Sequence, residues 1–148
     1  MTPEDHSHSF YSLKASRITT IAMTFMALGT LAELFLLEHY EDSWQLIPIV
    51  LIALSIVFFL VLQWSPSTII TKVFKGLMIA CGMSGVLGSW LHLKANMEFE
   101  AELHPSYSFL TLITNSFSGA FPALAPGSMI VFGLIGYLYI TLTAKQFK

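Results

Sequence analysis

Four apolar runs, each close to the length that crosses a lipid bilayer, constrain this chain more than any other feature. A helix spanning a hydrocarbon core of roughly 30 Å needs about 20 mostly apolar residues. The first run, 18–37, is interrupted only by threonines, a glycine and Glu33. The second, 46–64, is rich in Leu, Ile, Val and Phe. The third, 76–95, carries many small residues and has no charge before Lys94. The fourth, about 123–142, is uncharged and densest from Met129 onward. A transmembrane β-barrel needs strands of about ten residues that alternate apolar and polar positions. These runs do not alternate. The expectation is an all-α membrane protein: one domain over 1–148, a bundle of four transmembrane helices.

Composition agrees. Charged residues make up 11% of the chain and hydrophobic ones 55%, whereas soluble domains carry about 25% charged residues. A soluble, disordered or disulfide-built protein is excluded. The formal net charge of −2 excludes a nucleic-acid binder acting through bulk positive charge. The lipid bilayer is therefore the first partner. Cys81 is the only cysteine, so no intrachain disulfide forms.

The ends of the runs resemble membrane interfaces. Trp44 precedes the second, Trp64 closes it, Trp90 lies late in the third, and Tyr40 and Tyr107 lie beyond the outer ends. Aromatic rings with a polar tip prefer the headgroup level. Pro48 is expected in the first turn of the second helix, where its missing N–H costs little. Ser65-Pro66-Ser67 stops that helix.

Four crossings place Lys14, Arg17, Lys72, Lys75, Lys145 and Lys148 on one side and leave Lys94 on the other. The positive-inside rule then assigns both termini and the 65–75 loop to the cytoplasm of a multi-pass plasma- or inner-membrane protein. Seven acids, among them Glu33, Glu38, Glu41 and Asp42, gather toward the outer side. A cleaved signal peptide is disfavoured, because the first run is longer than the usual 7–15 residues and no A-x-A site follows. Residues 2–14, with His6 and His8, read as a polar leader.

The segment 105–127 is irregular, and Pro105-Ser106 at its start breaks the third helix. Its stretch 107–117 is apolar but too short to span. The prolines at 122 and 126 disfavour an unbroken helix there. A short helix lying in the outer interface is the favoured reading. A re-entrant piece, with 122–127 as its non-helical turn, is the alternative; it needs a protein wall around it.

Three groups of residues suggest chemistry. His92 lies on a stripe with Cys81, Gly85, Gly88, Ser89, Asn96 and, slightly round, Glu100. Small residues let helices approach closely in a bilayer, so His92 should face protein. Glu33 shares a face with Thr19, Met26, Gly29 and Thr30. A carboxylate turned toward lipid is penalised, so Glu33 should meet His92, with Asn96 nearby. That contact is either a working centre or a structural bond between helices. Farther out, Glu98, Glu100, Glu102 and His104 face Glu38, His39, Glu41 and Asp42. Carboxylates with imidazole suit zinc, iron or manganese, and carboxylates alone suit calcium or magnesium; the plain alternative is a solvated acidic loop. Haem b would need His39 with His92, or His92 with His104, as axial ligands.

Three functions follow in order. The first is cation handling, with Glu33, His92 and Asn96 beneath a vestibule of Glu38, Glu98, Glu100 and Glu102 that concentrates cations. The second is a non-catalytic accessory or structural subunit, associating with a membrane partner or with itself through faces such as Gly82, Gly85 and Gly88 or Gly133 and Gly136. A membrane enzyme acting on lipid or quinone ranks last, because no nucleophile, P-loop, GxGxxG or HExxH motif is present.

Overall fold

The structure, a computed structural model, describes the backbone of residues 3–118 and 124–143 and the side chains of 13–118 and 125–143. The described secondary structure is helical throughout: α1 (Pro3–Leu36), α2 (Ser43–Trp64), α3 (Thr68–Leu103), α4 (Phe109–Ser118) and α5 (Leu124–Thr143). Within them lie four stretches long and apolar enough to cross a membrane: Leu13–Leu36, Ser43–Trp64, Thr68–Leu103 and Ala125–Thr143.

Local chemistry sets the boundaries. α1 begins at Pro3, so the segment read as a polar leader is its first part. It ends in a two-bond lock: His39 N–H donates to the Leu34 carbonyl (2.8 Å), and Glu38 N–H donates to that of Phe35 (3.1 Å). This is the Schellman pattern, which needs a left-handed residue at its turning point. Glu38 supplies it, with φ 53°. α2 opens on a reciprocal cap. The Asp42 carboxylate accepts from Trp44 N–H (2.7 Å) and Gln45 N–H (2.9 Å), while the Gln45 side chain accepts from Glu41 N–H (2.9 Å). α2 therefore starts three residues earlier than hydropathy suggests. Pro48 stands in the helix interior rather than the first turn, and it cannot donate to the Trp44 carbonyl one turn back.

The largest departure from expectation is α3. Ser67 caps it, its hydroxyl accepting from Ile70 N–H at 3.2 Å, and it runs 36 residues to Leu103, about 54 Å. The expected 65–75 loop is thus only 65–67, and Lys72 and Lys75 sit on α3. At the other end, 94–103 contains good helix formers and no glycine or proline, so Glu98, Glu100 and Glu102 lie on helix rather than loop. His104 closes it, and Pro105 prevents its continuation. α4 falls where a short helix was expected and packs along the last turns of α3. α5 opens with Leu124-Ala125-Pro126-Gly127, four of the residues that the re-entrant alternative put in a non-helical turn; residues 119–123 lie outside the described part.

α3 is the hub, packing on α2, α4 and α5, while α1 leans mainly on α5. Glycines make the α3–α5 seam. A Cβ on Gly85 would lie 2.5 Å from the Pro126 carbonyl oxygen, and one on Gly133 would lie 2.5 Å from that of Met78. The helices touch backbone to backbone there. Few polar groups are buried. The Ser55 hydroxyl donates to the Leu51 carbonyl (2.6 Å) and sits 3.6 Å from the Cys81 sulfur. The Gln63 amide donates to the Tyr139 hydroxyl (2.6 Å).

These contacts set the levels of the bundle. Ser55 faces Cys81. Eleven residues toward the acidic end, the same antiparallel register leads to Trp44 and His92; nine residues the other way lead to Trp64 and Lys72. The two levels are about 30 Å apart along α3.

Candidate functional site

The site lies at the acidic end, where the α1–α2 turn folds over α3. The Schellman lock at Glu38 reverses the chain and brings His39 above the bundle. The Asp42 cap fixes the start of α2 beside it. His39 then meets His92 of α3: the two imidazoles stand 6.0 Å apart between ring centroids, tilted by 35°. Both are half-buried. They border a cavity of about 360 Å³ whose lining comes from α1 (Leu34), the α1–α2 turn and α2 (Asp42, Gln45), α3 (Gly88) and α5 (Pro126). Gly88 leaves this room, since even a Cβ there would stop 3.6 Å from the Pro126 ring.

The residues singled out in the sequence separate. Glu33 does not meet His92. The buried stripe of α1 runs through Thr19, Met23, Ala27, Thr30 and Leu34, and Leu34 reaches the cavity. Glu33 is one residue, and so about 100°, round from Leu34. It is half-buried on the flank of the stripe, and its carboxylate makes no hydrogen bond or ion pair with another described residue. Asn96 instead pins α4 to α3, its amide donating to the Ser116 carbonyl at 3.3 Å.

The outer acids disperse around a helix. Glu98 pairs with Lys94 one turn away (3.4 Å), with both side chains more than 60% exposed, a contact worth a few tenths of a kcal/mol. Glu102 is exposed, and Glu100 is half-buried. His104 stacks on Tyr107, with centroids 4.4 Å apart. It is twelve residues from His92, about 18 Å along α3, so the two cannot share one haem iron. Among the described residues, no three His, Cys, Asp or Glu side chains gather as a metal-ligating group.

The chain finds no match among protein-family models, curated proteins or solved structures. Geometry therefore carries the reading.

What the sequence reading missed is the role of the α1–α2 turn. Asp42-Ser43-Trp44-Gln45 has the spacing of a capping box, which starts α2 at Ser43 and holds the turn short. A short turn leaves His39 at the level of His92. Spacing alone presents that pair only as one of two possible axial sets for haem. Chemically, the mouth offers two imidazoles, the Gln45 side chain and one carboxylate, Asp42. One oxygen of that carboxylate is already committed to the helix cap.

Proposed function

We propose that this protein is an integral membrane protein that binds a transition-metal cation at its outer mouth, between His39 and His92. The carrying observation is the 6.0 Å separation of the two rings. Imidazole nitrogen binds zinc at about 2.0–2.1 Å, so two rings sharing one ion stand with centroids on the order of 5–6 Å apart. Imidazole suits zinc and copper, with water or a small anion completing the shell. Glu38, Glu41 and Asp42 surround the mouth with negative charge and raise the local cation concentration.

The bilayer placement is part of the same proposal. The slab lies between the Trp44–His92 level and the Trp64–Lys72 level, about 30 Å apart, matching the hydrocarbon thickness. Lys72 lies at the second level and Lys75 one turn from it, and Lys14 and Arg17 precede Leu34, which lines the histidine cavity, by twenty and seventeen residues of α1, so the positive-inside rule makes that side, and both termini, cytoplasmic. α4, packed on α3 beyond His92, then belongs to the outer headgroup region rather than to a re-entrant loop.

The test is metal titration of the protein purified in mild detergent, followed by calorimetry. One zinc or copper ion per chain is expected, with affinity about tenfold or more weaker in His39→Gln and His92→Gln. Glu33→Gln should bind as the parent does. Binding should weaken on acidification, because protons compete for the imidazole nitrogens. Unchanged affinity in both histidine variants, or a haem absorption spectrum in the purified protein, would overturn the reading.

A second reading, an accessory subunit, draws on one observation. Phe99, Leu103, Phe109 and Leu110 are all more than half exposed on α3 and α4 beyond the His92 level. Apolar surface outside the slab suits a protein partner. A stoichiometric co-purifying membrane protein, with no bound metal, would favour it.

A further inference from the structure

We propose that the bundle also takes up, from the side, a single-chain amphiphile with a neutral head that accepts hydrogen bonds: a molecule of the prenylquinone class. A second concavity, about 1010 Å³, runs over the face of α3 between α2 and α5. Its walls are almost wholly apolar and include Leu51, Met83, Val86, Trp90, Leu134 and Tyr137. It shares Ile47, Ser84 and Leu87 with the histidine cavity, so the two spaces adjoin. The reason for the opening is visible in the packing. Near the lysine end, α2 and α5 meet through Phe59 and Tyr139, ring centroids 5.2 Å apart, and through the Gln63–Tyr139 hydrogen bond. Toward the acidic end, Gly82, Ser84 and Gly133 leave the floor between them low.

The shape and polarity of this space select the occupant. From Met78 to Trp90 the groove follows α3 for about 18 Å, room for one extended chain lying in the slab. Among the described residues, hydrogen-bonding side chains cluster at the histidine end, on His39, His92, Gln45 and Asp42, whereas the groove itself has only Ser84, Trp90 and Tyr137. Among the described residues, no Lys or Arg lines either space, while Asp42 lines the mouth and Glu38 and Glu41 flank it. A phosphate head at the mouth would therefore meet negative charge without a counter-charge; Lys75, whose ammonium lies 5.0 Å over the Tyr137 ring, is at the opposite end of the groove. A neutral head bearing carbonyl oxygens would meet donors. One chain with such a head describes a prenylquinone; two chains with a phosphate describe the bulk lipid. The inference goes beyond the cation reading and does not require it.

The test uses the full chain in phospholipid nanodiscs. Trp44 and Trp90 border the two cavities, so a short-chain quinone should quench tryptophan emission saturably at one equivalent per chain. A Cβ on Gly82 would meet nothing within 4 Å, so Gly82→Leu fills the groove without disturbing the seam. It should weaken quinone binding about tenfold while metal titration and thermal midpoint stay unchanged. Met83→Trp, on the exposed rim, is the second variant should Gly82→Leu not fold; its quinone binding, read by calorimetry, should fall likewise. Gly82→Leu also separates the two proposals, because Gly82 lines the groove and not the histidine cavity: quinone binding falls while metal binding stays as in the parent. Non-saturable quenching, or parent-like quinone affinity in a folded groove variant, would overturn the inference.

Discussion

Glu38 occupies the left-handed region at φ 53°, a conformation that costs a side-chain-bearing residue about 1–2 kcal/mol. Glycine adopts it freely, although it also gives the unfolded chain more freedom. Glu38→Gly should raise stability by up to about 1 kcal/mol, read as a higher thermal midpoint in detergent; a lower midpoint would mean that the carboxylate does more than rim the mouth. Asp42→Ala should act oppositely. It removes the oxygen that caps two N–H groups of α2, at about 1 kcal/mol. It should also weaken metal binding, because the turn carrying His39 hangs from that cap. Single residues of the site are legible in the sequence to a limited depth. His39 and His92 stand out as candidates, since an imidazole near a span end is conspicuous. Glu33 is conspicuous for the same reason, yet it points elsewhere. A shift of one position on a helix turns a side chain by about 100°, and hydropathy does not record that rotation.

At the scale of the element, the α3–α5 seam is the place where one methyl group decides stability. Gly85→Ala would drive a Cβ to 2.5 Å from the Pro126 carbonyl oxygen, a backbone atom that cannot rotate away. A loss of about 1–3 kcal/mol is expected, as for other overpacked cores. Gly88→Ala, three residues on, would place its Cβ at 3.6 Å from the Pro126 ring, an ordinary contact. It should leave stability within about 0.5 kcal/mol of the parent. Thermal unfolding of the two variants side by side checks the pair, and equal midpoints would mean that the seam is looser than described. The stripe of small residues on α3 is legible in the sequence, because it follows helical spacing. The stop of α3 at Pro105-Ser106 is legible too, but its start at Thr68 and its reach beyond the apolar run are not. Hydropathy ends near Leu93, but a helix ends where the backbone loses its ladder, and Pro105 is the first residue that forces this.

For the whole molecule, the expected topology places the N-terminus, the 65–67 turn and residue 148 on one side and 98–104 on the other. Reporter fusions after Lys148 and within 98–104 should report cytoplasmic and external locations respectively; an external C-terminus would invert the map and move the histidine mouth to the cytoplasm. The four helices long and apolar enough to cross a membrane are legible because each depends on a local quantity. About 20 apolar residues bury their own backbone hydrogen bonds within one helix, and prolines or caps stop it, whatever the other helices do. The helix count, the approximate span ends and the small-residue face of α3 are therefore in the sequence. The tertiary structure decided which side chains meet. Backbone contact at Gly85 and Gly133 sets the rotation and register of α5 on α3, and the short capped turn at 37–42 sets His39 over His92. Both results depend on close approaches between residues far apart in the chain. Such approaches leave no period in the sequence, which is why spacing paired His92 with Glu33 while the structure sets His39 beside it.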